Sequence, residues 1–93
     1  MNWYDFSWTF LDSSTSAAAA NAIQALVSKF FPFASFQYYH RYGYTITTSI
    51  MISVRIIDSK LFEYSKWTVL NSVMVSPEYR KHIVGMYSIV QKE

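Results

Sequence analysis

The sequence predicts a small α+β fold: an antiparallel sheet with two helices packed on one face, in the order β-α-β-β-β-α. Three observations predict it. Residues 2–11 and 36–57 alternate with the period of a strand and are rich in aromatic and β-branched side chains. Residues 13–30 open on helix-capping residues and then repeat apolar side chains at helical spacing. Ser76-Pro77-Glu78 reads as a second helix start. At 93 residues, 52% hydrophobic and 15% charged, the chain is expected to form one α+β domain over residues 1–93. That composition excludes intrinsic disorder, which requires low hydrophobicity and high net charge.

Residues 2–11 place Tyr4, Phe6, Trp8 and Phe10 on one side and Trp3, Asp5, Ser7 and Thr9 on the other. This is the pattern of a half-buried strand. Asp12-Ser13-Ser14-Thr15-Ser16 is a cluster of N-cap residues. Beyond it Ala19, Ile23, Leu26, Val27 and Phe30 make one helical face, and Asn21, Gln24 and Ser28 make a polar one. Pro32 ends the helix, because the residue before a proline is pushed out of the helical region. The alanines at 17–20 combine high helix propensity with little bulk, which suits close approach to a sheet.

From Phe36 to Ile56 the even positions are mostly apolar or aromatic and the odd ones mostly polar. One strand of that length would span about 70 Å, against a radius of gyration of ~12 Å for a globule of this size. A break is therefore expected at Arg41-Tyr42-Gly43, a three-residue hairpin loop in which Gly43 supplies the left-handed position. An odd-length loop also keeps the alternation in phase. A second turn is expected at Asp58-Ser59-Lys60. The strand over residues 44–57 would reach ~45 Å at ~3.4 Å per residue. That is longer than a globule about 30–35 Å wide, so it is expected to bend or to project.

Residues 61–75 hold Trp67, Thr68, Val69, Val73 and Val75, which favour a strand. Phe62 and Tyr64 share one parity and Trp67 and Val69 the other, so a bulge near Ser65-Lys66 is needed. The last helix would then present Tyr79, Ile83, Met86, Tyr87 and Val90 on one face. The alternative makes residues 61–75 a helix and residues 84–91 a strand. The order then becomes β-α-β-β-α-β, a ferredoxin-like arrangement.

Much chemistry is excluded. The chain has no cysteine, so disulfides, thiolate zinc sites and thiol nucleophiles are absent. Glycine occurs only at 43 and 85, which allows no phosphate-cradling loop. Six scattered acids form no pair at a spacing that suits general acid–base work. Glu78 and His82 stand i, i+4 on the expected last helix, but two ligands without a third make a poor metal site. The sequence thus predicts no catalytic residue, no cofactor and no metal. The net charge of +2 argues weakly for nucleic acid. Residues 17–36 are interrupted by Asn21, Gln24, Lys29 and Pro32, which falls short of a membrane span. Asp5 stands where a cationic leader segment would begin. A soluble, cytoplasmic chain is expected.

Val73-Met74-Val75-Ser76-Pro77-Glu78-Tyr79-Arg80-Lys81-His82-Ile83-Val84-Gly85 resembles the strand-loop-helix of acetyl-coenzyme-A-dependent N-acetyltransferases. In that family a basic residue or Gln, then Gly, then Gly or Ala hold the cofactor pyrophosphate at a helix N-terminus. Arg80 and Gly85 match the outer positions. Ile83 stands where the first Gly belongs. The resemblance implies a degenerate half of that fold.

The most distinctive local run is Gln37-Tyr38-Tyr39-His40-Arg41-Tyr42-Gly43-Tyr44. Tyrosine and arginine are enriched at protein-binding hot spots, and cross-strand aromatic pairs also stabilise hairpins. Aromatic faces with cations can equally stack single-stranded nucleic acid, which makes that the alternative partner. Trp3, Met51 and Ile57 fall on the side of their strands away from the expected core. The predicted function is a non-enzymatic protein-binding or assembly module, self-associating along a sheet edge or face. A small viral or mobile-element accessory or inhibitor protein fits the same description. The candidate partner-binding residues are Tyr38, Tyr39, Arg41, Tyr42, Tyr44, Trp3 and Met51.

Overall fold

Alternating aromatic residues make the central strand of the sheet. The computed structural model describes residues 2–92. They form β1 (Asn2–Leu11), α1 (Ser14–Phe30), β2 (Ser35–Tyr42), β3 (Ile46–Ile56), α2 (Ser59–Met74), α3 (Pro77–Arg80) and β4 (Ile83–Lys92). The four strands make one antiparallel sheet in the order β2-β3-β1-β4. β1 and β2 run parallel with β3 between them, and β3 and β4 run parallel with β1 between them. These are two interleaved β-α-β units, the ferredoxin-like arrangement.

Both long helices start on side-chain caps. The Ser13 hydroxyl accepts from the Ser16 amide at 3.1 Å, and the Asp58 carboxylate accepts from the Leu61 amide at 2.9 Å. Each satisfies a donor that the first helical turn leaves open. α1 ends just before Pro32, and the Phe31 amide closes the last turn on the Val27 carbonyl at 2.8 Å.

The core is the aromatic side of β1 facing the helices. Tyr4, Phe6, Trp8 and Phe10 lie buried beside Ile50, Ile52 and Val54 of β3. α1 seals them with Ala19, Ala20, Ile23 and Val27, and α2 with Phe62, Val69 and Val73. Ala19 and Ala20 bring α1 close to the sheet, as expected of small residues, while Ala17 and Ala18 stay exposed. The Phe6 and Trp8 rings stack at 5.6 Å. Trp8 Nε1 is buried without a hydrogen-bond partner among the described residues. That costs about 1–3 kcal/mol. An indole buries roughly 200 Å², worth ~5 kcal/mol, so packing outweighs the orphaned donor.

Several expectations are corrected. The first order, β-α-β-β-β-α, gives way to the ferredoxin-like alternative, β-α-β-β-α-β, which the structure bears out. Residues 59–74 are helix, because Phe62, Ser65, Val69 and Val73 fall on one helical stripe that the sheet buries. Burial of that stripe overrides the strand propensity of its valines, threonine and tryptophan. The turn expected at Asp58-Ser59-Lys60 is the capped start of this helix. Ser76-Pro77-Glu78 does start a helix, but α3 makes a single turn. Ile83 onward is strand, because β1 needs a second neighbour and β4 provides it. Glu78 and His82 therefore do not share a helix face, and Glu78 instead pairs with Lys81 at 3.4 Å. The N-acetyltransferase resemblance fails structurally: residues 73–85 run helix end, turn, strand, and Gly85 pairs with Thr9 in the sheet.

The hairpin loop is Gly43-Tyr44-Thr45, two residues later than expected, because Arg41 and Tyr42 continue the ladder opposite Thr47 and Ile46. The loop has three residues and preserves the phase. No described glycine has a positive φ, so Gly43 does not supply a left-handed turn. β3 neither bulges against its neighbours nor projects. Its 11 residues, about 37 Å long, fit a molecule 40 Å along its longest axis. The bulge lies at β4, where the register with β1 shifts between Thr9 and Phe10.

Two substitutions test this packing. Ile52→Ala, at a fully buried position, is expected to lower the unfolding free energy by about 2–5 kcal/mol in urea titrations. Asp58→Ala is expected to lower it by ~0.5–2 kcal/mol through the lost cap. A cost near zero for Asp58→Ala would contradict the helical reading of residues 59–74.

Candidate functional site

The helices cover one face of the sheet and leave the other open, so each strand contributes alternate residues to that face. The register fixes them in rows across the sheet. One row runs Ser35, Ser53, Asp5, Ile89. The next runs Gln37, Met51, Ser7, Tyr87. A third runs Tyr39, Ser49, Thr9, Gly85. Arg41 and Thr47 lie beyond it towards the hairpin, and Arg55 and Trp3 lie at the other end.

This placement divides the predicted residues. Tyr39, Arg41 and Met51 share the open face and line one shallow hollow with Ser7, Thr9 and Ser49. Trp3 lies on the same face, but four rows from Arg41, about 27 Å away. Tyr38 and Tyr42 point to the helix side, opposite Ile50 and Ile46. The Tyr38 hydroxyl donates to the Gln24 side chain of α1, which ties β2 to that helix. Tyr44 is fully exposed in the loop. Trp3 and Met51 are half-buried, and Ile57 stands exposed beyond the end of β3.

The middle of the open face is polar. The Thr9 and Ser49 hydroxyls bond at 2.8 Å, and the Ser53 hydroxyl donates to the Asp5 carboxylate at 2.6 Å. Asp5 is only 7% exposed although no helix covers it. Its strand neighbours Ser53 and Ile89 stand directly beside it. A buried carboxylate needs its hydrogen bonds, and Ser53 supplies one, which keeps this row polar beneath an open face.

Apolar surface concentrates on β4 instead. Val84, Met86, Tyr87, Ile89 and Val90 are each between 39% and 62% exposed. Met86 and Val90 are on the helix side, opposite Trp8 and Tyr4; Tyr87 and Ile89 are on the open side. Beside Tyr4, Lys66 of α2 holds its ammonium 5.7 Å from that ring, 5.1 Å from Trp67 and 3.0 Å from Glu63 Oε2. This half-buried cation anchors α2 over β1, and the helix layer does not extend over β4. The first sequence reading assigns Ile83, Met86, Tyr87 and Val90 to a helix face, and only the ferredoxin-like alternative makes residues 84–91 a strand. The signal was present: Ile83, Val84, Ile89 and Val90 are β-branched, and Gly85 costs a helix interior about 1 kcal/mol.

A second apolar feature lies at the opposite corner. Phe30, Phe31, Phe33, Ile57, Leu61 and Phe62 line a hollow of about 230 Å³. Among the described residues, no group of three or more His, Asp or Glu could hold a metal. No helix of the described residues is long and apolar enough to cross a membrane.

Comparisons with known proteins add the fold. No protein-family model matches the chain, and no curated protein matches it. Solved structures do. The de novo designed protein Foldit4 matches with a TM-score of 0.64 at 9% identity, over 99% of this chain and 97% of that one. An uncharacterized NIPSNAP domain protein from Burkholderia xenovorans matches with a TM-score of 0.55 at 8% identity, over 100% and 94%. The designed protein LFR1 1, described as having a ferredoxin fold, matches with a TM-score of 0.48 at 14% identity, over 100% and 87%. The likeness is one of fold alone. A fold of this kind hosts many functions, so function has to be argued from the surface.

Ser53→Ala tests the buried carboxylate. Removing one donor from Asp5 is expected to cost about 1.5–3 kcal/mol of stability, read from urea denaturation. A loss below ~0.5 kcal/mol would mean that Asp5 is held well enough by its other contacts.

Proposed function

We propose that this chain is a non-catalytic association module that assembles with another copy of itself. One observation carries the reading: β4 presents half-exposed apolar side chains on both of its faces, and no described element closes over them. Monomeric proteins rarely leave contiguous apolar patches of more than a few hundred Å² exposed. The polar row around Asp5 and the Thr9–Ser49 pair weighs against apolar docking at the centre of the open face. The contact is therefore expected on the β4 side, with Tyr87 and Ile89 closer to it than Tyr39 or Arg41. Light scattering over about 10–500 µM should show the mass rising towards twice the monomer value, as expected for micromolar affinity. A constant monomer mass throughout would sink the reading.

A second reading, binding of single-stranded nucleic acid, draws on Tyr39 and Arg41 sharing one hollow on the open face. Tyr38 and Tyr42 point to the other side and Tyr44 lies in the loop beyond the strands, so the strands of the hairpin offer this face one of the four rings. A stacked base contributes ~1–3 kcal/mol, which leaves a single ring with weak binding. Fluorescence anisotropy with an oligothymidylate at low salt is expected to show no saturation below about 100 µM. Tight, steeply salt-dependent binding that Tyr39→Ala abolishes would replace self-association as the function.

A further inference from the structure

β4 is an edge strand, so one side of its backbone has no partner within the described sheet. Natural edges are blunted by charge, proline, shortness or cover. Ile83-Val84-Gly85-Met86-Tyr87-Ser88-Ile89-Val90 carries no charge and no proline. It belongs to a ten-residue strand, longer than the usual 5–6 residues. The opposite edge, β2, is shorter and carries His40 and Arg41, both exposed. The chain therefore guards one edge and leaves the other available.

We propose that β4 pairs antiparallel with β4 of a second copy, joining two four-stranded sheets into one of eight strands. This rests on the self-association reading and gives it a geometry. An antiparallel edge is self-complementary: its donors and acceptors match when the strand is reversed about a two-fold axis. Pairing β4 with the β2 edge of another copy would be head-to-tail and would leave an edge free at every step. It would also set an uncharged edge beside a cationic one. The two-fold contact closes after two copies.

Symmetry also fixes the register. A two-fold axis perpendicular to the sheet keeps both helix layers on the same face, so each residue pairs with one of its own parity. Regular pairing of β4 with β1 begins at Gly85, since Val84 falls at the register shift. The open-face positions of that uncharged stretch are Gly85, Tyr87 and Ile89, which are centred on Tyr87. The axis therefore passes beside Tyr87, which faces Tyr87 of the partner subunit. Tyr87 lies in the row Gln37, Met51, Ser7, Tyr87, so that row continues straight through the dimer. From Gln37 to Gln37 of the partner subunit there are seven strand spacings, about 34 Å at ~4.8 Å each. A specific interface draws roughly 800 Å² from each partner, about an eighth of the 6052 Å² surface of the chain. An edge contact with five apolar flanking side chains falls at or below that size, so a micromolar dissociation constant is expected.

The cysteine-free chain suits the test, because an introduced thiol is the only one present. Gln37→Cys, carrying a nitroxide label, would be measured by pulsed electron–electron double resonance well above the dissociation constant. The expected distance is about 34 Å plus the reach of the labels. Tyr87→Cys is expected to oxidise to a disulfide dimer, and Gln37→Cys is not. Ile89→Lys, which puts a charge beside the axis on an already exposed site, is expected to weaken association at least tenfold without loss of folding by circular dichroism. A dimer with Gln37 labels under about 20 Å apart would mean sheets packed face to face, ~10 Å apart; edge pairing would fall while self-association stood. A chain that stays monomeric at the highest concentration would overturn both.

Discussion

β1 lies between β3 and β4 and sends its residues alternately to two different surroundings. Tyr4, Phe6, Trp8 and Phe10 face the helices and fill the core. Trp3, Asp5, Ser7 and Thr9 face the open side. A shift of one residue in either ladder would place Asp5 under α2 and Trp8 in solvent. The burial of four aromatic rings, at roughly 1.5–3 kcal/mol or more each, pins the register against that exchange. All that the sheet presents on its open face follows from this one alignment, because β3 and β4 take their phase from β1.

The same constraint explains where apolar surface remains. Two helices over a four-stranded sheet cover its middle best. α1 and α2 close over β1 and β3, with Ile23, Val27, Phe62 and Val69 buried between the layers. The outer strands receive less cover and handle it differently. On β2, Tyr38 hydrogen-bonds Gln24 of α1, and its flank is polar or cationic. On β4, Met86 and Val90 reach the helix side and remain about half exposed. An asymmetry between edges is thus built into the chain, and sequence chemistry rather than topology creates it.

Residues whose local pattern and tertiary surroundings agree were readable from sequence. β1, α1, β2 and β3 belong here, as does the Ser-Pro-Glu helix start. The other elements depend on partners distant in sequence. Ser65 interrupts the apolar stripe of α2, and the tryptophan, threonine and valines around it favour strands in isolation. They become helical because the sheet has a hydrophobic face to be covered. β4 shows the converse. Its residues fit a helical wheel until β1, an apolar alternating strand, requires a second neighbour. The candidate site residues are divided between the two faces of the sheet for a related reason. Tyrosines adjacent in sequence were expected to act together, yet a strand turns neighbours to opposite faces, so Tyr38 and Tyr39 ended on different sides.

An unguarded edge is a hazard as well as an opportunity, since it can template aggregation as readily as a specific dimer. Two features of β4 favour closure. The shift at Val84 interrupts regular pairing and shortens the stretch that can be extended. The β2 edge at the far side carries exposed His40 and Arg41, so a pair joined through β4 would end in two polar edges. In the proposed pairing that combination would favour one association step over the addition of a third copy. The fold is shared with a designed protein of unrelated sequence. The topology therefore does not dictate the proposed association, which rests on the uncharged run on β4 and on Arg41 at the β2 edge.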